Sequence, residues 1–399
     1  MSGFARSSGV SRETRDRTTK GRVSRAGQAV AGTLLLLATV GVGTVAGQDA
    51  EPVFHTTAGP LTESEVGDVL AHHHMFVEFG AIPPTAYVDA DPEMVYEVIG
   101  PWVEEARDLG IGVFVEFSPA GIGRRPDIVK SVADRAGLPT MLVTGIYREP
   151  FMPDWVYDAS VDEVADFLRQ ELNEGVGDTG VPAGLIKVSQ NATGMTLTER
   201  KVLEAACIVG QETGAAIASH IAAFGSTAGP TALAVIDALE GFGCPLEEQR
   251  FIWVHAGIDA AAPGTALEVA DMVGADAGFD YLLEALDRGA WVSLDSIGSP
   301  FWGPTYGDYA VGIDWIERLA EAGFEDRIII GSDTGWFDPG QPAGFELEQV
   351  DGVWTMAGTY AGDYSQIPAE FVPAMQEAGF SEELVAKLMH DNPWNAYSR

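Results

Sequence analysis

Four of the chain's seven histidines, one of its five lysines and one aspartate stand out by type and spacing. His72 and His74 close an apolar run, Lys187 lies within Gly-Leu-Ile-Lys-Val-Ser, and His220, His255 and Asp333 each end a further apolar run. Imidazole and carboxylate groups are ligands for divalent cations. A single histidine in an apolar strand is more often a satisfied core residue than a ligand. Lys187 is harder to dismiss, because an unpaired ammonium in an apolar interior is costly. The spacings bind the set together. Lys187 to His220 is 33 residues and His220 to His255 is 35. His255 to Asp333 is 78, about two such steps, and His74 to Lys187 is 113, about three. Side chains recurring at the end of equal steps point to one repeated unit that returns each of them to the same place.

That unit is a strand followed by a helix. Short apolar runs alternate with longer helical patterns after residue 60, which predicts βα units and a parallel sheet. Strands are expected over 69–76, 112–118, 140–147, 184–189, 215–221, 250–256, 291–297 and 327–333. Ile328-Ile329-Ile330 and Phe251-Ile252-Trp253-Val254 are near-continuous apolar runs, as expected of strands covered on both faces. Helices are expected over 92–109, 161–174, 196–212, 229–240, 267–288 and 311–322. Pro92 opens the first and Gly110 follows it; Thr196-Leu-Thr-Glu199 is a capping-box pattern. Eight strands with intervening helices predict an α/β fold, a (β/α)8 TIM barrel over 59–399. Functional groups of such barrels sit at the C-terminal ends of strands, where all six residues fall. Because strand side chains alternate, His72 and His74 face the same way.

Charge narrows the partners. The chain holds 59 acidic and 23 basic residues, a formal net charge of −36. Such a surface repels nucleic-acid phosphates and repels itself until salt screens it, so nucleic acid is not expected as a partner and a high-salt environment is. Residues 1–28 reverse the pattern with seven Lys/Arg and two acids, and residues 29–46 form an uncharged apolar run ending Thr-Val-Ala. This predicts export through a signal peptide over 1–46. The same 18 residues could span a bilayer as an uncleaved anchor, the one expected membrane contact. Residues 47–58 read as a linker. Cys207 and Cys244 are too few for a disulfide framework, and Cys207 reads as a small buried hydrophobe.

With these residues in view, the chain resembles the phosphotriesterase family of the amidohydrolase-type binuclear metal hydrolases over about residues 59–397. The matching segments are Gly-Pro-Leu-Thr and His72-x-His74, Ala-Gly-Ile-Gly-Arg-Arg-Pro (120–126), Thr-Gly-Ile-Tyr (144–147), Gly-Leu-Ile-Lys-Val (184–188), Thr-Gly-Ala-Ala-Ile-Ala-Ser-His (213–220), Trp-Val-His-Ala-Gly (253–257), Gly-Ser-Asp (331–333) and Asp-Asn-Pro (391–393). Two departures are visible. His73 stands where the family usually has Glu, at a position expected to point away from the metals, and Glu116 stands where Asp is more usual.

The resemblance implies a site and a reaction. His72, His74 and Asp333 would hold the more buried of two divalent ions and His220 and His255 the more exposed one. Lys187 would bridge them as a carbamate formed with CO₂. Zinc suits these donors, with manganese or cobalt as alternatives. A hydroxide shared by the metals would attack an ester-like bond at phosphorus or carbon, with Asp333 taking the proton. A lactonase or carboxylic-ester hydrolase is the alternative on the same site, and an exported, non-catalytic metal-binding protein is the alternative from another class. Tyr147, Trp302 and Trp336 are candidates for the substrate pocket, in loops that also carry Phe301, Tyr306, Phe337, Phe345 and Trp354. The expected partner is a small-molecule ester; a homodimer is allowed.

Overall fold

A computed structural model of the protein describes residues 51–77, 90–191, 194–222, 228–246, 248–256, 275–295, 297–298, 309–335, 346–350, 353–357 and 364–399. The expected signal or anchor segment therefore lies outside the described residues. The eight expected strands form: β1 Asp68–His73, β2 Ile111–Glu116, β3 in two pieces, Thr140–Leu142 and Thr144–Ile146, β4 Ile186–Asn191, β5 Ile217–Ala222, β6 Phe251–Val254, β7 Trp291–Leu294 and β8 Ile328–Ile330. Neighbours in this order pair in parallel, through β1–β2–β3 and then from the second piece of β3 to β8. The ring closes where the His74 amide donates to the Thr334 carbonyl (2.8 Å) and the Asp333 amide to the His72 carbonyl (3.3 Å).

Helices cover the outside: α1 Pro92–Asp108, α2 Pro126–Ala136, α3 Val161–Asn173, α4 Leu197–Thr213, α5 Ala228–Phe242, α6 Ala275–Asp287 and α7 Tyr309–Glu321. Local sequence sets their starts. Pro92 opens α1 behind the Asp91 cap, and Ser160 and Thr196 close capping boxes with Glu163 and Glu199. α2 was not foreseen; Pro126 starts it and Gly137, left-handed at φ 70°, ends it.

Two apolar layers follow from the alternation of strand side chains. Val69, Ala71, Val113, Val115, Met141, Leu185, Ala216, Ala218, Ile252, Val254 and Ile329 fill the barrel. Their neighbours Leu70, Phe114, Leu142, Ile186, Ile217 and Trp253 pack outward against the helices. The base of the barrel is sealed by both ends of the folded body. Phe54 stacks on Trp394 with ring centroids 5.1 Å apart, Val53 donates to the Arg399 carbonyl, and the Arg399 guanidinium donates to the Ala183 carbonyl at 2.9 Å.

Two expectations need correction. Residues 51–58 are not linker: Phe54–Thr56 pairs with Gly59–Leu61 as a hairpin, and Phe54 is fully buried in the base. The cysteines are not separate hydrophobes either. Cys207 in α4 and Cys244 just after α5 form a disulfide, with Cα atoms 5.9 Å apart, because neighbouring crossover helices bring together positions 37 residues apart.

Candidate metal centre

His72, His74, His220, His255 and Asp333 gather toward the C-terminal ends of β1, β5, β6 and β8, and Lys187 comes from the second residue of β4. Lys187 and His220 reach the barrel interior by plain alternation, in step with Leu185 and with Ala216 and Ala218. His72 and His74 do not. Alternation from Val69 and Ala71 would bring His73 inward instead. A β-bulge intervenes: Leu70 pairs with Phe114, but His73 pairs with Glu116, so three steps on β1 oppose two on β2. Ala71 and His72 thus both face inward, His74 follows, and His73 turns out. The His72 ring lies 4.2 Å from that of Phe117 inside the barrel, while His73 packs on Phe114 and Tyr364 outside it. His73 is therefore removed from the site, as expected, and burial holds it at a pKa of about 3.

His255 is re-aimed differently. It follows outward-facing Trp253, but its backbone is left-handed at φ 63°. Asp333, at φ 50°, is the other non-glycine residue with positive φ among the described residues. Such conformations cost free energy in non-glycine residues and concentrate at functional sites. Glycines admit close approach nearby. A Cβ on Gly335 would lie 1.9 Å from the His74 carbonyl, and one on Gly145 1.8 Å from the Lys187 carbonyl.

The geometry suits cations better than hydrogen bonds. Asp333 Oδ1 lies 3.1 Å from Nε2 of both His72 and His74, and Asp295 Oδ2 lies 3.0 Å from His72 Nδ1. Yet neither ring nitrogen of His72 has a hydrogen-bond partner among the described residues. The His72 nitrogens thus lie close to both carboxylates without a hydrogen bond to either, whereas His74 Nε2 is hydrogen-bonded to Asp333 Oδ1. Donors about 2.0–2.1 Å from one shared zinc are spaced in this way. Ligand atoms of His72, His74 and Asp333 all lie within 4.8 Å of one another, as do those of His72, His255 and Asp295. His255 meets His220 edge to face with centroids 4.7 Å apart, and the Tyr147 hydroxyl lies 3.2 Å from His220 Nε2. The Lys187 ammonium sits 4.4 Å from the Phe117 ring centre, in a barrel where its charge acts on His220 and His255.

Burial and charge set the protonation states. Burial pulls Lys187 down to about 8 against the opposing pull of Asp295 and Asp333. Burial likewise lowers His255 to about 4 and, with the His255 and Lys187 charges, takes His220 well below its ordinary value. For Asp333, burial is outweighed by His255 and His72, which hold the carboxyl well below the carboxylate range. Asp295 is held at about 2 in the same way, by His72 against burial. His74 goes the other way: burial is outweighed by the Asp333 and Glu116 carboxylates, which raise it. Neutral His220 and His255 beside ionised carboxylates are the donor forms that metals need.

Asp295 was missed in the sequence. It is fully buried beyond the end of β7, takes the Ser293 hydroxyl, and accepts from the His255 amide at 2.8 Å. The signal was available: position 295 is 40 residues after His255 and 38 before Asp333, the repeat midway between two chosen ligands. Ser118 and Glu116 form a second support. His74 Nδ1 lies 2.8 Å from the Ser118 hydroxyl and 3.6 Å from the Glu116 carboxylate, which also takes the Met75 amide. Of the pocket candidates, Tyr147 lies at the site. Trp302 and Trp336, with Phe301, Tyr306, Phe337 and Phe345, lie outside the described residues, and Trp354 falls in the strand Val353–Ala357 of a hairpin not foreseen in that loop.

Comparison with known proteins supplies independent findings. The model of the phosphotriesterase family matches residues 52–397. A phosphotriesterase homology protein of Mycobacterium tuberculosis is 24% identical over 358 residues, covering 87% of this chain and 98% of the relative. An aryldialkylphosphatase of Saccharolobus solfataricus is 25% identical, covering 85% and 97%. The human N-acetyltaurine hydrolase is 24% identical, covering 85% and 95%. A solved structure from the molecular engineering of organophosphate hydrolysis activity on a weak promiscuous lactonase template superposes with a TM-score of 0.67 at 22% identity, covering 86% of this chain and 99% of that one. That likeness shows the fold.

Proposed function

The chain belongs to the phosphotriesterase family, and from that premise we propose that it is a metal-dependent hydrolase of ester-type bonds whose six convergent side chains hold two divalent cations. The observation that carries this reading is the arrangement around His72, whose buried nitrogens have two carboxylates within 3.1 Å and no hydrogen bond. His72, His74 and Asp333 would hold one ion and His220 and His255 the other, with zinc the best match to these donors. Lys187, if carbamylated by CO₂, would exchange a buried cation for an anionic oxygen donor to these ions. Bound ions of this kind polarise the scissile oxygen and acidify water.

The chain's own residues do the rest. Asp333, ionised at neutral pH, accepts the proton of the attacking water. The Tyr147 hydroxyl beside His220 donates to a substrate oxygen. Asp295 orients His72 and the His255 backbone, as carboxylates behind metal-bound imidazoles do. The bond cleaved is a phosphotriester or, as the alternative, a lactone or carboxylic ester. The protein is exported and works at high ionic strength. The Cys207–Cys244 disulfide supports export, since such bonds persist in oxidising compartments, and the charge of −36 supports the salt requirement.

Metal analysis with a screen of aryl phosphotriesters, lactones and aryl esters tests the reading. About two ions per chain with turnover is the expected result. One ion and no turnover would leave a binding protein. Lys187→Ala should lose most activity and regain part of it with added short carboxylic acids.

A further inference from the structure

The Tyr147–Phe151 turn places one strong cation beside the site that the chemistry above does not use. Arg148 follows Tyr147 beyond β3 and is half-buried. Its Nη1 donates to the Asn191 side-chain oxygen at 2.8 Å and to the Glu149 carbonyl at 3.0 Å. Its Nε is buried without a hydrogen-bond partner among the described residues. Both partners of Nη1 are neutral oxygens, in a chain with 59 acidic groups to choose from. By contrast, the guanidiniums of Arg124 and Arg125 are both held by carboxylates, Glu171 and Asp127 at 2.7 Å. A guanidinium keeps its charge at any accessible pH and presents paired N–H groups suited to a carboxylate.

The setting is built rather than incidental. Asn191 ends β4 on the same face as Lys187 and Ser189, four residues or about 13 Å along the strand from Lys187. The Asn191 amide donates to the Glu149 carbonyl and to the Glu199 carboxylate, which turns its oxygen to Arg148. Glu199 is fixed in turn by the α4 capping box. The Arg148 guanidinium carbon lies 5.7 Å from the Tyr147 ring centre and 5.1 Å from that of Phe151, so the charged group itself is flanked by aromatics. The charge is thus held at the mouth, at a remove from the reacting centre, beside the Tyr147 hydroxyl that touches His220.

We propose that Arg148 is an anion subsite: the substrate carries a carboxylate or an equivalent monoanion several bonds from the scissile ester, and Arg148 binds it. This rests on the hydrolase reading above. It assigns the substrate class to esters or lactones that bear a remote carboxylate rather than to uncharged ones.

The test compares matched phenyl esters on the metal-loaded full chain: the monophenyl esters of succinate, glutarate and adipate against phenyl butyrate. The wild type should favour at least one acidic ester in kcat/KM. Arg148→Gln should lower the acidic-to-neutral ratio about 10- to 100-fold, the range of a charge-assisted hydrogen bond, and Arg148→Lys should fall between. A merely structural role would depress both esters alike, leaving the ratio unmoved and overturning the proposal. A wild type with no acidic preference at any chain length overturns it without any variant. Calorimetric binding of the same dicarboxylates against butyrate separates this idea from the hydrolase reading. If no ester is turned over but dicarboxylates bind tighter in an Arg148-dependent way, the subsite stands and the hydrolase reading falls. If turnover is present and both preferences survive Arg148→Gln, the reverse holds.

Discussion

The two ends of the barrel are built from the same strands and obey different rules. At the base, buried groups have finished partners: Phe54 lies on Trp394, and Arg250 reaches the carbonyls of Asn395 (2.9 Å) and Ser398 (2.7 Å). At the mouth, three imidazoles, an amine and two carboxylates are buried beside the half-buried His220, and two of these residues stand on left-handed backbone. The base reduces free energy locally, by apolar burial and satisfied carbonyls. The mouth keeps a cost that cations relieve. Buried charge and backbone strain therefore separate function from packing within one sheet.

That contrast can be broken. Asp333→Asn should reduce kcat about 1000-fold, the scale of a lost proton acceptor, while thermal melting shifts little; an equally large loss of folding would place Asp333 with the packing residues. Trp394→Ala should do the opposite. It should cost about 4 kcal/mol in urea unfolding through the cavity at the base, with kcat per folded molecule unchanged.

Acid should find the mouth first. Buried His255 titrates at about 4 rather than 6.5, so between those values the unfolded chain binds a proton that the folded chain does not. In the metal-free protein the His255 contribution to stability should be complete above pH 6.5 and be lost as pH falls from there through 4, by about 3 kcal/mol. Asp295, held at about 2, adds loss in the same direction below its ordinary 3.8. A flat unfolding free energy from pH 7 to 4 would contradict this burial. The smallest effect expected is that of Asp295→Asn, which should weaken metal affinity about 10- to 100-fold, read by chelator competition. No change would detach Asp295 from the site.

Much of this was legible beforehand because its cause is local and periodic. Continuous apolar runs specify strands covered on both faces, equal steps specify βα repeats, and polar residues at run ends specify the mouth. Lys187 and His220 needed nothing more, since alternation alone aims them. Asp295 obeyed the same step and alternation, but an aspartate after Ser-Leu carries no mark of its own without the His72 ring against it. Arg148 was invisible for a related reason: only the folded turn shows that a surface-type residue has taken neutral partners beside Tyr147.

What the chain determined by itself is the repeat, the ends of its strands, and the residue types at those ends, because period and composition act over a few neighbours. Tertiary structure decided which of His72, His73 and His74 enters the barrel, through a bulge set by pairing with β2, and which way His255 turns, through a left-handed backbone. It also joined Cys207 to Cys244 and Phe54 to Trp394. In each case the deciding force lies between segments distant in sequence, and no local pattern encodes it.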